Sequence, residues 1–133
     1  LAGLIYPPKM GSYCATKAAV VALSETMSLE LDADNIKVSV VCPSFFRTNL
    51  AESVRASDAD SQAATQRLVN KAKLGADEIA GRVFSAIEKG DFYILPHPEG
   101  RAIWRLKRWL PFKRYRAMML KQTARMMTNR AKG

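Results

Sequence analysis

Three observations predict an α/β fold built on a parallel sheet. A helical pattern covers residues 13–31, and residues 36–42 (IKVSVVC) follow it, β-branched and apolar on both faces. A second helical pattern over residues 77–89 leads into a second short apolar stretch, 92–95. Strands that alternate with helices form layered sheets, and a strand apolar on both faces belongs inside one.

Each element has its own local signal. Residues 1–11 read as a loop, because Pro7, Pro8 and Gly11 interrupt any regular element. Ser12 is placed to cap the first helix. In that helix Val20, Leu23, Met27 and Leu31 recur at spacings of three and four and predict one apolar stripe. Ala15, Ala18, Ala19 and Ala22 form a small-residue face that lets another element approach closely. Residues 32–35 end the helix, and Pro43 ends the strand, leaving a loop at 44–50. Residues 51–74 are polar and Ala-rich, which predicts one or two loosely packed helices. Asp77 is placed to cap the helix that carries Ile79, Val83, Phe84 and Ile87, and Gly90 and Asp91 make the turn into the second strand.

Composition narrows the class. The chain has 133 residues, 48% hydrophobic and 25% charged, which suits one globular domain. No apolar run reaches the roughly 20 residues that span a bilayer. The chain begins Leu1-Ala2-Gly3-Leu4-Ile5 without Met, which reads like the inside of a fold, so it is expected to be a piece of a longer protein. Cys14 and Cys42 read as two small buried thiols in a reducing, cytoplasmic setting. The lone His97, between Pro96 and Pro98, reads as a surface-loop residue, and no metal site is expected. The net charge of +9 is uneven: residues 101–133 hold eleven Lys or Arg and no acid, while the first 100 hold ten basic and twelve acidic residues. The chain is expected to divide at that point into a body, 1–100, and a basic helical tail, 101–133.

Tyr13 and Lys17 stand four apart at the start of the first helix, so both side chains lie on one face, about one turn apart. A free tyrosine titrates near 10. A neighbouring ammonium favours the phenolate, which makes the pair a sensible proton donor and acceptor for an alcohol and its ketone. The segment SYCATKAAV, residues 12–20, resembles the active-site helix of the short-chain dehydrogenase/reductase family. Residues 40–48, VVCPSFFRT, resemble the strand and loop that follow it there, and Ala2-Gly3-Leu4 resembles the stretch after the family's catalytic Ser.

That resemblance implies the C-terminal part of a Rossmann-like, doubly wound parallel sheet with NAD or NADP as cofactor. It implies that Tyr13 is the general acid/base and that Lys17 favours its phenolate and holds the nicotinamide ribose. Tyr13, Lys17, Pro43, Ser44, Phe46 and Thr48 are the implied cofactor contacts. Two departures stand out. Ser44 occupies the usual Gly position, and neither the catalytic Ser nor a Gly-rich phosphate loop occurs among these residues. The chain by itself is therefore expected to bind dinucleotide poorly and not to turn over. A sugar-nucleotide epimerase or dehydratase shares the Tyr/Lys spacing and stays open as an alternative, as does a non-catalytic, membrane-associated relative.

Residues 49–74 match the place where the family varies its substrate lid, and Leu50, Val54 and Leu68 suit either a pocket lining or ordinary packing. Tyr6, Phe45 and Phe46 lean toward a lipophilic alcohol or ketone as the small-molecule partner. The tail mixes Trp104, Trp109 and Phe112 with Arg and Lys, which suits a peripheral membrane surface through 101–130. It suits packing on the body, or a homo-oligomer contact, as well. Nucleic acid is the least expected partner, since no recognition motif accompanies the charge.

Overall fold

The computed structural model describes residues 1–47 and 66–128. Helix α1 (Gly11–Glu30) is followed by a 3-10 turn (Asp32–Asp34), β1 (Val40–Val41), α2 (Ala76–Glu88), β2 (Tyr93–Ile94), α3 (Pro98–Trp109) and α4 (Phe112–Thr128). The two strands pair in parallel, with Val40 opposite Tyr93 and Val41 opposite Ile94. The Val40 N–H donates to the Phe92 carbonyl and the Cys42 N–H to the Ile94 carbonyl, each at 2.8 Å. Parallel neighbours need a crossover, and α2 lies in it. The α/β fold class is therefore as expected, although paired strand covers only two residues of each stretch.

Chain punctuation explains the boundaries. Asn35 takes a left-handed conformation (φ 56°) that ends the α1 unit. Gly90 (φ 75°) makes the turn after α2, where a side chain would be strained. Pro98 opens α3, where its missing N–H is harmless. Pro111 separates α3 from α4. Two predicted caps are corrected. Helix α1 starts at Gly11 with Met10 before it and no side-chain cap, so Ser12 lies inside the helix. Helix α2 starts after Gly75, whose N–H donates to the Glu78 carboxylate at 3.3 Å, and Asp77 lies in the first turn instead.

The predicted apolar stripe of α1 is also corrected. Val20, Leu23 and Met27 are exposed among the described residues, while Cys14 and Val21 are the buried positions and Ala18 is half-buried. The covered side runs through Cys14, Ala18 and Val21, where the 1–5 segment lies against the helix, and Ala15, Ala19 and Ala22 of the expected small-residue face are exposed as well. A Cβ at Gly3 would sit 2.6 Å from the Lys17 carbonyl oxygen and 2.9 Å from Val21 Cγ2. Likewise β1 is not buried on both faces: Val40 and Cys42 are buried, but Val41 between them is exposed, since no described element covers that side. Both cysteines are buried and free, as expected.

Leu4, Ile5, Val21, Val40, Cys42 and Leu95 form the core, with Phe92, Tyr93, Ile103, Trp104 and Met119 packed around it. The tail thus contributes to the core through α3 and α4. Lys107 donates to the Leu4 carbonyl at 2.5 Å and lies 3.6 Å over the Tyr6 ring. Cation–π contacts of this kind contribute about 0.5–2 kcal/mol. The one ion pair among the described residues, Lys37–Asp32 at 3.3 Å, is exposed on both sides and contributes at most about 1 kcal/mol. Apolar burial is the stronger term.

The Gly3 contact gives a direct test. In the full-length protein Gly3→Ala should force 1–5 away from α1 and destabilise by about 1–3 kcal/mol, the usual penalty of overpacking. Thermal melting would show it, and an unchanged midpoint would mean that the contact relaxes freely.

Candidate active site

Tyr13 and Lys17 share the outward face of the first turns of α1. Tyr13 is 49% exposed, and the Lys17 ammonium lies 5.6 Å from the centre of its ring. No described carboxylate pairs with Lys17, so its donors stay available to a ligand. Thr16 turns back along the helix, its hydroxyl donating to the Tyr13 carbonyl at 2.8 Å. Neither of two open clefts found among the described residues has Tyr13 or Lys17 in its wall. One of about 690 Å³ lies between α2, β2 and α3, and one of about 280 Å³ lies between 3–6, α1 and α3.

The loop after β1 is tied down at three points. The Leu1 nitrogen donates to the Pro43 carbonyl at 2.7 Å. The Ser44 N–H donates to His97 Nδ1 at 3.1 Å. At the far end the Arg47 N–H donates to the Leu74 carbonyl at 2.9 Å, and Arg47 bridges in parallel to Gly75. Pro43, Ser44 and Phe46 are half-buried and Phe45 is exposed. Gly3 and Leu1 connect this loop to α1, because Gly3 touches the Lys17 carbonyl while Leu1 holds Pro43. Thr48, Leu50 and Val54 lie outside the described residues. Leu68 is exposed, and Tyr6 sits under Lys107 rather than beside Tyr13.

His97 corrects the sequence reading. It is only 9% exposed and is the residue that fastens Ser44. Since Nδ1 accepts a hydrogen bond, the ring proton sits on Nε2, which is buried with no partner among the described residues. Burial pushes the His97 pKa below its usual value. The Phe45 backbone and Glu99 oppose that shift, and Arg82 adds to it. The signal was the position itself, a His directly after a strand end, but a loop between two prolines reads as surface.

Residues 1–59 match the short chain dehydrogenase family profile. A crystal structure of a short chain dehydrogenase/reductase from Burkholderia phymatum, in complex with NAD, superposes with a TM-score of 0.67 at 38% identity, covering 79% of this chain and 43% of that one. The chain belongs to the short-chain dehydrogenase/reductase family. Among curated proteins it is 32% identical over 117 residues to a CLA biosynthesis dehydrogenase/reductase of Lactiplantibacillus plantarum, covering 74% of this chain and 41% of that protein. It is 39% identical over 69 residues to an inactive 2-(S)-hydroxypropyl-CoM dehydrogenase 2 of Xanthobacter autotrophicus, covering 51% of this chain and 30% of that protein. The chain therefore spans less than half the length of these relatives.

The buried imidazole sets a pH dependence. His97 titrates below its ordinary value when folded and near about 6.5 when unfolded. Between those two values the unfolded chain binds the extra proton, so stability there rises with pH. It is complete above about 6.5 and is lost as pH falls below that value. His97→Asn keeps an acceptor for the Ser44 N–H without a titrating ring. Melting midpoints across an acid pH series should fall less steeply in this variant than in the wild type, and parallel curves would show His97 not to be the group responsible.

Proposed function

We propose that the full-length protein is a nicotinamide-dependent oxidoreductase that interconverts a hydroxyl and a carbonyl group on a small lipophilic substrate. The observation that carries this reading is the Tyr13/Lys17 pair, with an exposed phenol and an ammonium free of carboxylates on one helix face. The family match over residues 1–59 includes that pair, and it favours the simple reductase over an epimerase. NAD in the Burkholderia relative supports NAD or NADP as cofactor.

The residues present fit the nicotinamide-ribose end of such a cofactor. The unpaired Lys17 donors suit ribose hydroxyls, and the loop from Pro43 is held by three backbone anchors. No Gly-rich loop for the pyrophosphate occurs in this sequence. When bound, the nicotinamide gives hydride to the substrate carbon or takes it away. In reduction Tyr13 donates its phenolic proton to the substrate oxygen, and in oxidation it accepts that proton. Lys17 offsets the negative charge left on the phenolate oxygen. Pro43, Ser44 and Phe46 would hold the carboxamide end, and the same role for Thr48 follows from the family resemblance alone. Ser44 acts there through loop shape, because its N–H is already given to His97. The exposed Val20, Leu23 and Met27 face of α1 supports self-association of the full protein through this helix.

Tyr13→Phe in the full-length protein removes only the transferred proton. Turnover of a panel of ketones and alcohols, followed by nicotinamide absorbance, should fall by about 10²–10⁴-fold while the melting midpoint holds. Lys17→Met should weaken cofactor binding in a fluorescence titration. Turnover equal to wild type in the Tyr13 variant would remove Tyr13 from the reaction.

A further inference from the structure

We propose that the junction of α3 and α4 is a docking ridge for an anionic lipid bilayer, with Trp109 and Phe112 entering at headgroup depth. The two aromatic residues end one helix and begin the next, and they are 87% and 73% exposed. Arg105, Arg108, Lys113 and Arg114 flank them in sequence and are exposed as well, with the Arg108 guanidinium 5.2 Å from the Trp104 ring centre. Residues 101–133 contain no acid to pair with these cations. The opposite side of the same helix pair is committed to the body: Trp104 lies 4.8 Å from Tyr93, Tyr115 is buried, and Met119 packs on the core. The ridge is therefore held in place before any ligand arrives.

Charge distinguishes this surface from other exposed apolar positions among the described residues, such as Phe84 and Ile87 on α2, a helix that carries Asp77, Glu78 and Glu88. On α1 the exposed Val20, Leu23 and Met27 share their helix with Glu25 and Glu30, which an anionic surface would repel. At the α3–α4 junction the aromatic side chains stand among cations alone. Aromatic rings at the water–lipid boundary with cations reaching the headgroups are the pattern of a helix that lies on a membrane without crossing it. Consistent with that mode, no described helix is long and apolar enough to cross a membrane. The two tryptophans of this chain thus have different roles, one packed inward and one presented outward. The inference rests on the tail alone and is independent of the reaction.

Flotation of the full-length protein with vesicles tests it. Binding should be strong to phosphatidylcholine mixed with phosphatidylglycerol and weak to phosphatidylcholine alone, and it should fall as salt rises. Trp109→Ala combined with Phe112→Ala should reduce binding by on the order of tenfold or more. Arg108→Gln and Lys113→Gln should each reduce it by about fivefold at physiological salt. Trp104→Phe, on the packed side, should leave binding unchanged. Both aromatic residues are exposed, so the melting midpoint of the double variant should hold, and the salt series on the wild type is a second measurement that needs no variant. Equal binding to both vesicle types, no binding to either, or binding indifferent to the double variant overturns the proposal. So does a concentration-dependent dimer that the double variant abolishes while lipid binding is absent, because a second copy then covers the ridge.

Discussion

The contact between Gly3 and the backbone of α1 governs the arrangement of everything around it. A Cβ at this position would stand 2.6 Å from the Lys17 carbonyl oxygen, so only glycine lets the chain run so close to the helix. The approach carries Leu4 and Ile5 into the core beside Val21, Val40, Cys42 and Leu95. It also sets Leu1 within hydrogen-bond reach of Pro43, and Tyr6 beneath Lys107. One short segment thereby joins the helix of Tyr13 and Lys17 to the loop after β1 and to the tail.

The loop after β1 has a second set of constraints that come from the segment after β2, at the same end of the sheet. His97 follows β2 and Ser44 follows β1, and the parallel register of the two strands brings those ends together. The hydrogen bond needs a neutral imidazole, and burial favours the neutral form. Arg82 and Arg101 hold the Pro96 and Leu95 carbonyls on either side of the same turn, at 2.6 and 3.1 Å. The strand ends are fastened by side chains from α2 and α3 because two short strands offer few backbone hydrogen bonds of their own.

The tail reconciles a cationic surface with a place in the core. Its helices direct Ile103, Trp104, Tyr115 and Met119 inward and most of their charges outward. Lys107 is the exception. It turns inward, where the Leu4 carbonyl and the Tyr6 ring replace water around the ammonium, and burial lowers its pKa. An acid-free sequence can pack in this way because the cations need no partners of opposite sign as long as water reaches them.

Sequence alone determined the α/β order, the buried thiols of Cys14 and Cys42, the end of β1 at Pro43, and the side-by-side placement of Tyr13 and Lys17. All of these depend on local periodicity, on proline, or on side-chain size, and such properties act over a few residues. The inward face of α1 was not legible. Periodicity offers an apolar stripe and a small-residue face, whereas the side that a neighbour covers runs through Cys14, Ala18 and Val21. Nor could it show that β1 is open on its Val41 side, that His97 is buried, or that Trp104 and Trp109 point opposite ways. Those features were decided by tertiary structure, because burial is a property of the neighbours that a fold brings from far along the chain. The Ser44–His97 bond spans 53 residues and the Lys107–Leu4 bond spans 103, and no window of sequence contains either pair.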